Sequence, residues 1–422
     1  VDAPSSFDAF SPRRRAVIIL VLGGVWTLGS FATDLFLPAM PAAAKALGAS
    51  ESAVALNVTA VLVGLGLGQL LAGPVSDSRG RRPVLLAGLI VFCVAALVCV
   101  LAPNVQVLVA VRLVQGMAAA FGNAISNAVV ADYKQGREAA RLLSWMVIIG
   151  GVVPIVASLA GAQMLRLLGW PGPFYLLAAI GVLFLVFTAV GLPESLPKER
   201  RVPGGVRASL RTMGNLSRDT VFMGYALTAA LAYATFFAYL AGSSFVYQHV
   251  YGVSPTTFSV LFAANSLGML VAGRLNHGLL ARFSPDLLLG AGLAANAVAG
   301  AGVLVAALSP GLGLWAMAVP MFVIVATLGV IYPDLTALAL SLHPEVAGTA
   351  AAYFGTLRLG LGAAATLAIG IGGAASATPM AVQAVVSAVL ALALFAVLSR
   401  HIRNQRLLLG LPEEAWSDVP PA

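Results

Sequence analysis

Asp34 and Arg112 each stand inside a long apolar run. A carboxylate at the centre of a membrane helix costs about 2.5–3.5 kcal/mol on insertion scales, so such acids usually face a cavity or a partner. With the first run ending near Ala42, Asp34 lies ~12 Å below that end. With the fourth beginning near Val105, Arg112 lies ~10 Å below the same face. Two opposite charges at similar depth suggest an ion pair. Pro38 also removes the backbone donor that would bond the Asp34 carbonyl, which loosens the helix there. A carboxyl that meets and leaves a guanidinium changes its proton affinity. This pair therefore suits the loading and release of a proton; the plainer alternative is a static salt bridge.

A second opposite pair is Asp334, directly after Pro333, and Arg358. Arg358 lies ~20 Å into its run, whereas Asp334 is a turn or so from the end of its own. The mismatch argues against contact unless Pro333 bends its helix. A structural or substrate-orienting role is expected for this pair ahead of a second proton site. Asp77 stands at the C-terminal end of a helix, where an anion is disfavoured, so it should find donors among Arg79, Arg81 and Arg82 or at a facing helix N-terminus. Trp26, Ser30 and Asp34 recur every four residues along one helix face, as do Arg112, Gly116, Ala119 and Asn123. Tyr233, Phe236, Phe237 and Tyr239 crowd one run, and Asn57 and Asn265 add hydrogen-bonding groups. Aromatic rings suit flat, amphipathic guests. Gln69, Gln115 and Asn127 read as links between helices. Four scattered histidines form no metal-ligand cluster, Cys93 and Cys99 share one apolar run and offer no disulfide framework, and the absence of a phosphate-cradling glycine loop argues against ATP as the energy source. No local Ser/His/Asp signature supports an enzyme.

The elements that must hold these residues follow from composition. Of 422 residues, 60% are hydrophobic and 9% charged, against roughly 25% charged in a soluble domain. Such a chain cannot cover a water-facing surface; it is an all-α membrane protein. Twelve runs are long enough to span, at about 16–42, 52–74, 83–102, 105–130, 140–166, 173–192, 219–246, 254–274, 286–308, 311–338, 345–371 and 378–399. Arg13-Arg14-Arg15 leads into a run too long for a cleaved signal peptide. With the N-terminus inside, 20 of the 24 lysines and arginines fall in inside segments, which sets both termini as cytoplasmic. The net charge of +8 then reports orientation and contact with anionic lipid, with no call for nucleic acid. The expected organisation is a cytoplasmic segment 1–15, a six-helix half 16–192, a basic linker 193–218, a second six-helix half 219–400 and a tail 401–422. Gly73 to Arg82 after span 2 is echoed by Gly273 to Arg282 after span 8, consistent with two parallel halves around a central site.

Gly73-Pro-Val-Ser-Asp-Ser-Arg-Gly-Arg-Arg-Pro-Val84 resembles the signature between spans 2 and 3 of the major facilitator superfamily, and Arg112-Leu-Val-Gln-Gly-Met-Ala-Ala-Ala120 resembles its span-4 signature. Thr33-Asp-Leu-Phe-Leu-Pro-Ala-Met-Pro41, with Ala347-Gly-Thr-Ala350, is similar to the bicyclomycin and chloramphenicol resistance branch of its drug:proton antiporters. The resemblance runs from about 16 to 400. It implies the major facilitator fold, alternating access, and export of a small amphipathic drug, a phenicol such as chloramphenicol foremost. The proton gradient would be the energy source with no cofactor, and the place a monomer in the bacterial cytoplasmic (inner) membrane. Under it Asp34 couples protons with Arg112 as modulator. Gly73, Asp77, Arg79, Gly80, Arg81 and Arg82 form a latch between the halves. Gly150, Pro154 and Gly161 fit the span-5 antiporter motif, although Ala157-Ser158 stands where relatives often have Gly-Pro. The substrate cavity would draw on Trp26, Ser30, Asn57, Ala119, Asn123, Tyr233, Phe236, Phe237, Tyr239 and Asn265. Asp334 and Arg358 replace an Asn and a Gln common in the branch, which reads as compensation. A proton-coupled importer or facilitator of a nutrient is the nearest alternative, and a non-transporting membrane sensor a more distant one.

Overall fold

The computed structural model describes residues 10–134, 136–201, 205–373 and 376–409; the N-terminal segment 1–9 and the end of the tail, 410–422, lie outside the described residues. The described chain is helical: α1 Pro12–Trp26, α2 Leu28–Asp34, α3 Met40–Ala46, α4 Glu51–Arg79, α5 Arg81–Val100, α6 Val105–Tyr133, α7 Gly136–Leu168, α8 Gly172–Gly191, α9 Gly205–Leu216, α10 Thr220–Phe245, α11 Pro255–Leu279, α12 Pro285–Leu308, α13 Leu314–Ser341, α14 Ala347–Gly372 and α15 Ala377–Leu409. Among the described residues eleven helices are long and apolar enough to cross a membrane, and a bent pair, Arg13–Trp26 with Leu28–Ala46, brings the number to twelve when counted as one broken span. These coincide with the twelve apolar runs of the sequence.

Helix starts follow local capping chemistry. Ser50 accepts from the Ala53 amide, Asn104 from Val107, and Asp219 from both Val221 and Phe222. Gly80, at φ +101°, separates α4 from α5 in a backbone region that other residues rarely adopt. The surface is apolar, with Leu101, Val190 and Ile371 about four-fifths exposed. That inverts the usual soluble pattern and suits a hydrocarbon surround.

The chain divides into two compact units. The first holds α1 to α8 together with Gly252–Ala263; the second holds Ser209–Tyr251 and the chain from Ala264 onward. In the first, α4 packs along α6 and α5 against α6 and α8; in the second, α10 packs on α13, α14 and α15, and α12 on α13 and α15. Small residues permit the closest approaches. A Cβ on Gly64 of α4 would lie 2.8 Å from the Met117 amide of α6, and one on Gly329 of α13 would lie 2.9 Å from the Gly273 amide of α11. Spans 2 and 4, and again spans 8 and 10, thus meet backbone to backbone.

Candidate functional site

In the first unit, the opening span is broken where its polar residues cluster. α1 stops at Trp26, the Thr27 hydroxyl donates to the Gly24 carbonyl at 2.7 Å, and the chain bends by 42°. α2 runs only to Asp34, and a 3-10 turn at Leu37–Ala39, containing Pro38, leads into α3. The break lies at Thr27 as well as near the proline. Asp34 is therefore at a helix C-terminus, buried at 5% exposure, where the terminal carbonyls disfavour an anion.

Arg112 is 1% exposed and meets the same short helix, yet it misses the acid. One terminal nitrogen donates to the Ala32 carbonyl and the other to Gln115 Oε1 at 2.7 Å. Phe36 and Phe174 lie 5.6 and 5.5 Å from the guanidinium, and Nε has no hydrogen-bond partner. Among the described residues Asp34 and Arg112 form no ion pair, which corrects the expected pairing. The reason is how its donors are spent: both terminal nitrogens of Arg112 are engaged, one by a backbone carbonyl of α2 and one by Gln115 of its own helix. Gln115, expected to link helices, instead serves Arg112 on its own helix, and Asn127 is exposed.

The span-5 glycines hold both ends of α2. A Cβ on Gly150 would run into the Trp26 ring, and one on Gly161 into the Leu35 backbone, 2.9 Å from its carbonyl carbon. Pro154 lies in α7 between them. Of the other expected substrate residues here, Trp26, Ser30 and Asn123 are half-buried. Asn57 is wholly buried and donates to the Val54 carbonyl of its own helix at 2.8 Å, and Ala119 is wholly buried. These two are packed inside the unit and present no surface to a ligand here, because their helices approach too closely.

At the α4–α5 junction Asp77 finds its donor in Arg81. Arg81 also reaches Asp132 at 3.1 Å and the Ser76 hydroxyl at 2.7 Å, and Asp132 accepts from Ser195 at 2.7 Å. Glu194 accepts from the Arg81 and Arg82 amides at 2.9 and 3.2 Å, a side-chain cap on α5 supplied from 113 residues away. Arg82 donates to the Ala189 carbonyl at 2.6 Å, while Arg79 is exposed and Gly73 has open space where a Cβ would be. Asp132 and Glu194 were not legible as site residues.

The second unit carries the other pair. Asp334 is 8% exposed and accepts from Asn276 Nδ2 of α11 at 2.8 Å. Arg358 lies elsewhere, 4.7 Å from the Tyr233 ring and 4.8 Å from that of Tyr332. Each such contact is worth about 0.5–2 kcal/mol. Among the described residues Asp334 and Arg358 form no ion pair, so the compensating pair inferred from their opposite charges is not formed. Again the arginine meets the residue two positions before the acid. Tyr233 joins Phe236 and Phe237 at 5.8 and 5.7 Å, and Phe237 sits against Gly362. The Tyr239 hydroxyl accepts from Asn265 at 2.9 Å. The aromatic side chains of α10 thus adjoin one another and extend to Tyr332, with Phe354 5.9 Å beyond it; Tyr332 and Phe354, and Asn276 at Asp334, were missed by sequence reasoning. The repeat of Gly73–Arg82 at Gly273–Arg282 was the signal that could have drawn attention to Asn276.

Helices long and apolar enough to span, with isolated buried charges inside them, define a multi-pass membrane protein. The chain belongs to the major facilitator superfamily, whose sequence profile matches residues 22–367; it has the family and fold of non-enzymatic transporters. It is 38% identical to the uncharacterised MFS-type transporter YdgK of Bacillus subtilis, over 92% of this chain and 97% of that one. It is 32% identical to a chloramphenicol resistance protein of Pseudomonas aeruginosa, over 90% of each. With a bicyclomycin resistance protein homolog of Haemophilus influenzae it shares 30% identity, over 82% of this chain and 87% of that one. These relatives are consistent with the drug:proton antiporter branch. Among solved structures it is similar in fold to a D-xylose–proton symporter, with TM-score 0.70 and 16% identity over 89% of this chain and 96% of that one.

Proposed function

We propose that the protein is a proton-coupled secondary exporter of small amphipathic drugs, with a phenicol such as chloramphenicol the leading substrate. Two six-helix halves with both termini cytoplasmic would alternate access across the bacterial inner membrane, the chain acting as a monomer that draws on the proton gradient alone. The resistance proteins among its relatives support this reading, and the apolar surface of the helices suits that setting. Gly73, Asp77, Arg79, Gly80, Arg81 and Arg82 are proposed as the latch between the halves, with Asp132 as a further partner of Arg81.

The observation that carries the proposal is Asp34, buried at the end of a short helix with no ion pair to Arg112. A proton on Asp34 removes the unfavourable meeting of a carboxylate with helix-end carbonyls and apolar neighbours. Releasing that proton favours an arrangement in which Asp34 reaches water or the Arg112 guanidinium. Drug and proton would so compete for the same half of the cycle. Asp34→Asn should leave the protein folded and abolish drug-driven proton movement in reconstituted vesicles, because an amide carries no exchangeable acid proton. Wild-type coupled efflux in this variant would sink the assignment.

A further inference from the structure

The centres of the Arg358 guanidinium, the Tyr233 ring and the Tyr332 ring are separated by 4.7, 4.8 and 4.8 Å. That is a nearly equilateral triangle. The two rings therefore touch each other, inclined at 65°, and the guanidinium rests in the notch they form. Both rings lie to one side of it, and neither covers the other side.

The edge donors are only partly committed. Tyr233 is a hydrogen-bonding neighbour of this guanidinium, and Nε is shut away from solvent without a partner, which leaves the remaining N–H groups of the terminal nitrogens. No carboxylate among the described residues pairs with Arg358, and the acid nearest in sequence to the notch, Asp334, accepts from Asn276 through Oδ1 while Oδ2 is without a hydrogen-bond partner. A cation inside a spanning helix without a counter-ion is unfavourable, and a planar fork of donors matches a carboxylate in two-point contact. Phe236 and Phe237 flank Tyr233, so an apolar ring surface adjoins the charge.

We propose that Arg358, seated on Tyr233 and Tyr332, is an anion-recognition site that takes the carboxylate of an aromatic, amphipathic ligand. This adds aromatic carboxylates, beside the uncharged phenicols, to the substrates of the exporter reading and rests on that reading for transport, although binding itself requires no proton gradient. The counter-charge that Arg358 lacks among the described residues is then supplied by the ligand.

The test is calorimetric binding to the full-length protein in detergent, with 2-naphthoate and its uncharged amide, 2-naphthamide, as probes. The wild type should prefer the acid by about tenfold, the order of one charge-assisted hydrogen bond. Arg358→Gln should lose that preference while keeping its affinity for the amide, and Arg358→Lys should keep part of it. Retained amide binding shows that Arg358→Gln is folded; if it is not, Arg358→Lys against wild type carries the test. Equal wild-type affinity for acid and amide, or a preference untouched in both variants, would overturn the site. Acid preference without drug-dependent proton flux in vesicles would leave the site standing and remove the coupling; flux without acid preference would do the reverse.

Discussion

Arg112 in the first unit and Arg358 in the second are both arginines within spanning helices, and they are held by different kinds of partner. Arg112 donates to the Ala32 carbonyl and Gln115, with Phe36 and Phe174 more than 5 Å from its centre. Arg358 rests on two tyrosine rings at under 5 Å, and Nε is unpartnered in both arginines. A guanidinium bonded to the fold through both terminal nitrogens is a clamp in this arrangement. One seated mainly on rings keeps more of its directional donors for something else. The same residue type thus serves structure in one unit and recognition in the other.

The largest effect that would test this contrast is on stability. Arg112→Leu leaves the Ala32 carbonyl and Gln115 Oε1 without this donor in a buried site, a loss of about 2–6 kcal/mol at 1–3 per orphaned group. Arg358→Gln removes an unpaired cation along with its ring contacts, so its loss should stay under about 1 kcal/mol. Equilibrium unfolding in mixed micelles checks both. Comparable losses for the two would mean that Arg358 is a clamp as well.

The next effect concerns what positions Asp34. Gly161→Ala would drive a methyl into the Leu35 backbone, with an expected loss of about 1–3 kcal/mol and a shift of the helix end that carries Asp34. Gly73→Ala meets nothing among the described residues within 4 Å and should be neutral, or gain up to about 1 kcal/mol in helix propensity. Melting curves of the two variants separate a packing glycine from an unpacked one. A Gly161→Ala protein as stable as wild type would show that α7 does not fix the break in the first span.

Much of this architecture was legible because lipid imposes it. Spans had to be about 20 apolar residues, and charges within them had to be exceptional, so Asp34, Arg112, Asp334 and Arg358 stood out by type alone. Their partners did not stand out. Arg112 bonds a backbone carbonyl, which no side chain advertises, and Arg358 meets Tyr332, one aromatic among many. Depth along a helix was readable from 1.5 Å per residue, but the partner each arginine would take was not: in each unit the arginine engages the position two before the acid. The kink at Thr27 was hidden for a related reason, since Pro38 marked only the break at the other end of α2.

The smallest expected effect is an absence of coupling. Were Asp334 and Arg358 a buried pair, removing either would strand a charge at about 3–5 kcal/mol, and removing both would recover most of it. The structure gives each its own partner: Asn276 donates to Asp334 at 2.8 Å, and Arg358 lies on its tyrosines. Asp334→Asn replaces a carboxylate oxygen by an amide that still offers Asn276 an acceptor, so its loss should be about 1 kcal/mol. Arg358→Gln should be milder. Independent sites add to within about 0.5 kcal/mol, so the double variant should show the sum of the single losses and no recovery. A double-mutant cycle on unfolding free energy measures that term directly. Recovery of more than about 1 kcal/mol would show that the two charges do feel one another. It would weaken the case that Arg358 lacks a counter-ion, and the contrast with Arg112 would then rest on the ring contacts alone.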